Sequence, residues 1–117
     1  MLVVNFQNNT KRFPTGALAI MVSTDKYLDH VVNLTSAAVA KGKRVSLFFT
    51  GNGVLLTVKP QFKQLVDQAS VCICEASFRT HGLHGNKRQV PGVTQASFTT
   101  PARYAEMLAQ ADRHLVF

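Results

Sequence analysis

Ala17-Leu-Ala-Ile-Met-Val22 is an unbroken run of six apolar residues, and one helical stretch later comes Lys43-Arg-Val-Ser-Leu-Phe-Phe-Thr-Gly-Asn-Gly53. A short apolar run without alternation suits a strand covered on both faces, as in a parallel sheet. Between the two, Leu28, Val31, Val32, Thr35, Ala38 and Val39 recur at helical spacing. Ser23 or Thr24 can cap that helix with Asp25 in its first turn, and Gly42, just after Lys41, can end it. The unit reads as strand, helix, strand, which calls for parallel pairing through a right-handed crossover.

The same grammar continues outward. Thr50 to Gly53 is a loop, and Pro60 can open a short helix carrying Phe62, Leu65, Val66 and Ala69. Val71 to Cys74 is a third strand, and residues 75 to 92 read as a short helix and a long loop rich in His, Gly, Lys and Arg. Val93 to Phe98 is a weaker fourth strand. Thr100-Pro101 starts a helix whose apolar face is Tyr104, Met107, Leu108 and Ala111, and His114 to Phe117 is the last strand. The expected class is α/β, in three α/β/α layers around a five-stranded, mostly parallel sheet of flavodoxin-like order. Residues 16–117 make one domain. Met1 to Thr15 stands apart, with Leu2, Val4 and Phe6 alternating as in an edge strand or an exchanged arm.

Composition narrows the function. The chain has 117 residues, enough for one domain that folds without staples, and its 46% apolar content argues against disorder. No apolar run approaches a membrane span, and Met1 to Phe6 has no basic start or long apolar stretch, so a cytoplasmic protein without membrane contact is expected. The net charge of +7 is scattered apart from a cluster between Arg79 and Arg88. Phe78 is the only aromatic residue in that cluster and reads as core, so direct nucleic-acid binding is not expected.

In parallel α/β sheets chemistry sits beyond the carboxyl ends of the strands. Three loops qualify: Ser23 to Lys26, Thr50 to Gly53, and Cys74 to Gly92. A pocket there would draw on Thr24, Gly51, Asn52 and Gly53. Gly51-Asn52-Gly53 matches no phosphate-loop pattern and reads as a turn that needs positive φ. Neither a flavin phosphate loop nor the paired acids of a receiver domain follow the first strand. Cys72 and Cys74 point to one face of the third strand, and a disulfide between them would close almost no loop. Cys72 lies deeper in the strand and reads as inert. Cys74 ends the strand, with Arg79, His81, His84, Lys87 and Arg88 behind it and a helix starting at Ala76 or Ser77. Positive charge and helix amides favour a thiolate, while Glu75 opposes it. Two readings stand for Cys74, a reactive thiol or a buried inert one. Cys72, Cys74, His81 and His84 are the conceivable metal ligands, but their spacing is not that of a zinc site, and neither metal nor bound cofactor is expected.

Three segments carry a resemblance. Cys74-Glu-Ala-Ser-Phe-Arg-Thr-His81-Gly82-Leu83 resembles the active-site segment of the DsrE/TusD (DsrEFH) family of small sulfur-transfer proteins, where glycine follows a strand-end cysteine by eight residues. His81 stands where arginine is typical. Lys43 to Val54 and Ala111 to Phe117 agree with the same family, so the resemblance runs over about residues 17 to 117. It implies a persulfide carrier, a sulfurtransferase in the loose sense, with Cys74 as the sulfur-bearing thiol. Arg79, His81 and Gly82 would support it, the first two by favouring an anionic persulfide. It further implies sulfur donor and acceptor proteins as partners and a homo-oligomer, a trimer or hexamer. The loop after the first strand differs from the TusD pattern, and residues 1–15 have no counterpart. A non-catalytic interaction or regulatory subunit of the same fold, and a small-ligand-binding module, are the alternatives.

Overall fold

Parallel strands form where the apolar runs fall. In the computed structural model, which describes residues 2–5, 16–83, 90 and 97–117, β2 (Ala17–Val22) pairs in parallel with β3 (Arg44–Phe49), setting Ile20 against Leu47 and Val22 against Phe49. β3 pairs in parallel with β4 (Ser70–Cys74), and β4 with the short β5 (Phe98–Thr99). On its other side β2 takes β6 (Arg113–Val116) in parallel, and β1 (Leu2–Asn5) lies antiparallel on β6 at the sheet edge. Of the expected fourth strand, residues 93–96 lie outside the described residues.

The sheet order is β1-β6-β2-β3-β4-β5. The expected parallel α/β architecture is present. In detail, the five parallel strands run 5-1-2-3-4 when numbered along the chain, not in the 2-1-3-4-5 order of flavodoxin. The chain steps one strand at a time from β2 to β5, then jumps back across the sheet to β6. Right-handed crossovers that all step in one direction put their helices on one face, and a step back puts its helix on the other. Accordingly α1 (Leu28–Ala40) and α2 (Lys63–Val66) pack on Ile20, Val22, Leu47, Phe49 and Ile73. The return helix α4 (Pro101–Ala109) packs Tyr104, Met107 and Leu108 on Ala19, Phe48, Cys72 and Cys74.

Aromatic residues lock the layers. Phe49 meets Phe62 edge-on at 5.2 Å, and Phe78 meets Phe98 at 4.9 Å. Tyr104 stacks on Phe48 at 5.0 Å. A buried phenylalanine contributes roughly 1.5–3 kcal/mol through area removed from water, and Phe48, Phe49, Phe62 and Phe78 are all essentially fully buried.

The start of α1 departs from expectation. Neither Ser23 nor Thr24 caps it; the helix begins at Leu28. The Ser23 N–H and hydroxyl both donate to the Phe117 carbonyl, which commits Ser23 to the end of the sheet. Thr24 Oγ1 accepts from the Lys26 N–H in a local turn instead. The other end follows the sequence: Gly42 has φ +82, a conformation that suits glycine. The expected loop after β3 is a 3-10 helix, Gly51–Val58, which a second 3-10 turn, Pro60–Phe62, joins to α2.

Candidate active site

Cys74 is the last residue of β4, and the chain turns there directly into α3 (Glu75–Thr80). The same position pairs with Thr99 of β5. Strand alternation sends Cys74 to the α4 face, where it lies in the cluster of Ala19, Phe48, Tyr104 and Ala111, only 4% exposed. The thiol is therefore buried.

Burial pushes the Cys74 thiol up, but hydrogen bonds outweigh it and the net shift is downward from 9.0. The donors are the Ser77 hydroxyl and N–H, the Thr50 hydroxyl and the Ala76 N–H. Each favours the thiolate because a charged acceptor gains more from a donor than a neutral thiol does. Two elements supply them. Ala76 and Ser77 lie in the first turn of α3, whose backbone N–H groups have no helical partner. Thr50 follows β3 and opens the 3-10 helix.

These two elements are tied together. The Gly51 N–H donates to Ser77 Oγ at 2.9 Å, and Thr50 Oγ1 lies 3.3 Å from the same oxygen. The Thr50 N–H in turn donates to the Val22 carbonyl at 3.0 Å, so the loop also hangs from the end of β2. Gly51 has φ +53, the positive value expected of this turn. Gly53 is needed for a different reason: a Cβ there would overlap the Val22 carbonyl oxygen. Only glycine lets the 3-10 helix lie this close to β2 and carry Thr50 and Gly51 to α3.

The other residues singled out from the sequence are spread more widely. Arg79 is exposed and forms an i,i+4 ion pair with Glu75 at 3.5 Å, which draws its charge along α3. His81 is half-buried at the end of α3, and Gly82 follows with φ +73. Thr24 is held in its own turn by Lys26, and Asn52 is exposed. His84, Lys87, Arg88 and Gly92 lie outside the described residues. Among the described residues, no group of three or more His, Cys, Asp and Glu side chains could hold a metal ion. A cleft of about 480 Å³ opens at the opposite, amino ends of the strands, beside Leu18, Leu34, Lys41, Lys43 and Arg113, away from the thiol.

Cys72 lies inside β4, as expected. It is half-buried, whereas Cys74 is buried, because the sheet face is better covered toward the end of β4. Burial raises the Cys72 thiol, and the Arg103 charge offsets this only in part. On the same face Tyr104 Oη and His114 Nε2 are hydrogen-bonded; burial raises the tyrosine and lowers the histidine, so a neutral pair results.

Sequence reasoning pointed to the amides of a helix starting at Ala76 or Ser77 but did not single out the Ser77 or Thr50 hydroxyl. One signal was available: a serine three residues after a strand-end cysteine falls in the first turn of the following helix, where its hydroxyl can turn back. The contact with Gly51, 26 residues away, has no local signal.

The model of the DsrE/DsrF-like family matches residues 17–117, and the chain belongs to that family. No curated protein matches it. Among the described residues, no helix is long and apolar enough to cross a membrane.

Proposed function

Taking membership of the DsrE/DsrF-like family as the premise, we propose that the protein is a cytoplasmic sulfur carrier that holds a persulfide on Cys74. The observation that supports this most is the place of Cys74, the last residue of β4 at the start of α3 within the matched residues, where nearby hydroxyl and amide groups lower the thiol on balance despite burial. In loading, the Cys74 thiolate attacks the outer sulfur of a donor persulfide R–S–SH. The S–S bond breaks, R–S⁻ leaves, and Cys74–S–SH forms. In delivery, an acceptor thiolate attacks that outer sulfur and Cys74–S⁻ leaves. No net oxidation occurs, and no cofactor is required. Donor and acceptor are proteins in this reading, and the carrier is a homo-oligomer, a trimer or hexamer, that binds no nucleic acid.

Near-complete burial of Cys74 favours a second reading, an interaction subunit of the same fold whose cysteine is inert. One experiment separates them. The protein is incubated with inorganic polysulfide, and its intact mass is recorded and the modified residue mapped. The carrier gains about 32 Da on Cys74, one sulfur atom, and loses it to reductant. Cys74→Ser abolishes the gain and Cys72→Ser retains it. A wild-type protein that gains nothing, with Cys74 also resistant to alkylation, leaves the interaction subunit.

A further inference from the structure

The amino ends of the strands frame a cleft built of two unlike parts. β2 and β6 start there side by side, with Leu18 in register with Arg113. α1 leans over them with Leu34, Ala37 and Ala38, so a strand and a helix give the cleft of about 480 Å³ apolar walls. That size falls in the range of roughly 300–1,000 Å³ typical of small-molecule pockets. The rim is cationic: Lys41, Lys43 and Arg113 line it, and all three are exposed. Among the described residues none of the three has an ion pair. Among the described lining residues the one acid is Asp112, and the backbone occupies it. Its Oδ2 accepts from the Ala17 N–H at 2.8 Å, and its own N–H donates to the Ala17 carbonyl at 2.8 Å. Gly16 leaves room for the lysine. A Cβ there would meet Lys43 Nζ at 3.2 Å and Cδ at 3.3 Å, so the Lys43 side chain lies across a residue that has none.

We propose that this cleft binds a small organic carboxylate with an apolar tail. The tail lies on Leu18, Leu34, Ala37 and Ala38, and the carboxylate sits among Lys41, Lys43 and Arg113. Charge complementarity sets the sign of the ligand, and the net charge of +7 draws anions toward the protein. The planar guanidinium of Arg113 suits a carboxylate, which can accept two parallel hydrogen bonds from it. Either part of the site alone is weak. A cation in water gains little from a bare anion, and an apolar wall does not choose between tails. A ligand that carries both parts uses both. The cleft lies at the opposite strand ends from Cys74, so this site and the sulfur-carrier reading stand or fall separately.

The test titrates the intact chain with decanoate by calorimetry and follows its backbone amide signals by NMR. Decanol, which lacks the charge, and acetate, which lacks the tail, are titrated alongside. Decanoate binds saturably, with the signal changes centred on Leu18, Leu34, Ala38 and Lys43. Decanol binds more weakly and acetate does not saturate. Lys41→Gln combined with Lys43→Gln weakens decanoate about tenfold, the size expected for two partly exposed charge pairs, and leaves decanol unchanged. Ala37→Phe fills the cleft from an exposed position of α1 and abolishes decanoate binding. If Ala37→Phe does not fold, the paired lysine variant decides. Absence of saturable decanoate binding overturns the proposal. So does decanol binding as tightly as decanoate, or an affinity that the variants leave unchanged. Light scattering is recorded for each protein. An Ala37→Phe chain that falls out of a larger assembly, where wild type ignores decanoate, shows that a second copy covers the cleft and overturns the proposal as well.

Discussion

Cys72 and Cys74 sit two residues apart on one face of one strand, yet their surroundings set them in opposite directions. Both are pushed up by burial. Cys72 has behind it only the partial help of Arg103, an exposed side chain that also lies 3.8 Å from Glu106. Cys74 lies where a strand, a helix start and a loop meet, and the helix and the loop bring donors. The more buried of the two thiols is thus the one favoured as an anion. Exposure is a poor guide to thiol character here; the supply of oriented donors decides, because an oriented N–H or O–H replaces water's hydrogen bonds while a remote surface charge is screened.

The largest test of this contrast attacks the platform rather than the donors. Phe78 follows Ser77 in α3, is fully buried and packs against Phe98. Phe78→Ala removes the anchor that holds α3 on the core, at a cost of about 3–5 kcal/mol in unfolding free energy by denaturant titration. In the fraction that remains folded, a loosened α3 releases Ser77 and Ala76 from the sulfur. Alkylation of Cys74 then falls toward that of Cys72, and the difference between the two thiols narrows. If the stability drops but the Cys74 profile holds, the donors do not depend on the packing of α3.

Much of this arrangement was legible and some was not. Apolar runs at Ala17–Val22 and Val45–Phe49 announced the central parallel strands, and Cys74 was placed at a strand end because the run stops there. Strand order was not legible, since an apolar run does not name its neighbour, and the return step to β6 becomes visible only with α4 on the opposite face. The start of α1 was misplaced because Ser23 serves a carbonyl 94 residues away, which outcompetes its local use as a cap. The site divided along the same line. Cys74 follows from local pattern, but Ser77 meets Thr50 and Gly51 through tertiary contact. The basic residues that local pattern did offer, Arg79 and His81, lie along α3 and at its end.

Gly53 offers a sharper and smaller test, because it carries no chemistry. Gly53→Ala places a methyl group on the Val22 carbonyl, so the loop must retreat from the end of β2. Thr50 and Gly51 move with it, and the hydroxyl pair loses its anchor. We expect Cys74 alkylation at neutral pH to slow several-fold, up to about tenfold. Cys72 is unaffected, and stability falls by about 1–3 kcal/mol. Equal slowing of both cysteines would mean that the whole sheet had shifted and would break the link between Gly53 and the Cys74 donors.

The smallest effect is one of sign. The folded Cys74 has a lower pKa than the unfolded reference of 9.0, so between the two values the unfolded chain holds a proton that the folded chain has released. Stability from this group rises with pH in that window, is complete above 9.0, and is lost as pH falls through the folded value. Cys72 is shifted the other way. Between 9.0 and its higher folded value it is the folded chain that keeps the proton, so its contribution falls as pH rises. Each slope is at most about 1.4 kcal/mol per pH unit, the limit for one proton. Urea midpoints of wild type, Cys74→Ser and Cys72→Ser are measured from about pH 7 to about pH 10, where solvent-exposed thiols titrate fully. Relative to Cys74→Ser, wild type gains stability as pH rises toward 9.0; relative to Cys72→Ser, it loses stability above 9.0. Parallel curves for the two variants would show that the two thiols do not differ in the folded protein, and the contrast on which the Cys74 site rests would fail.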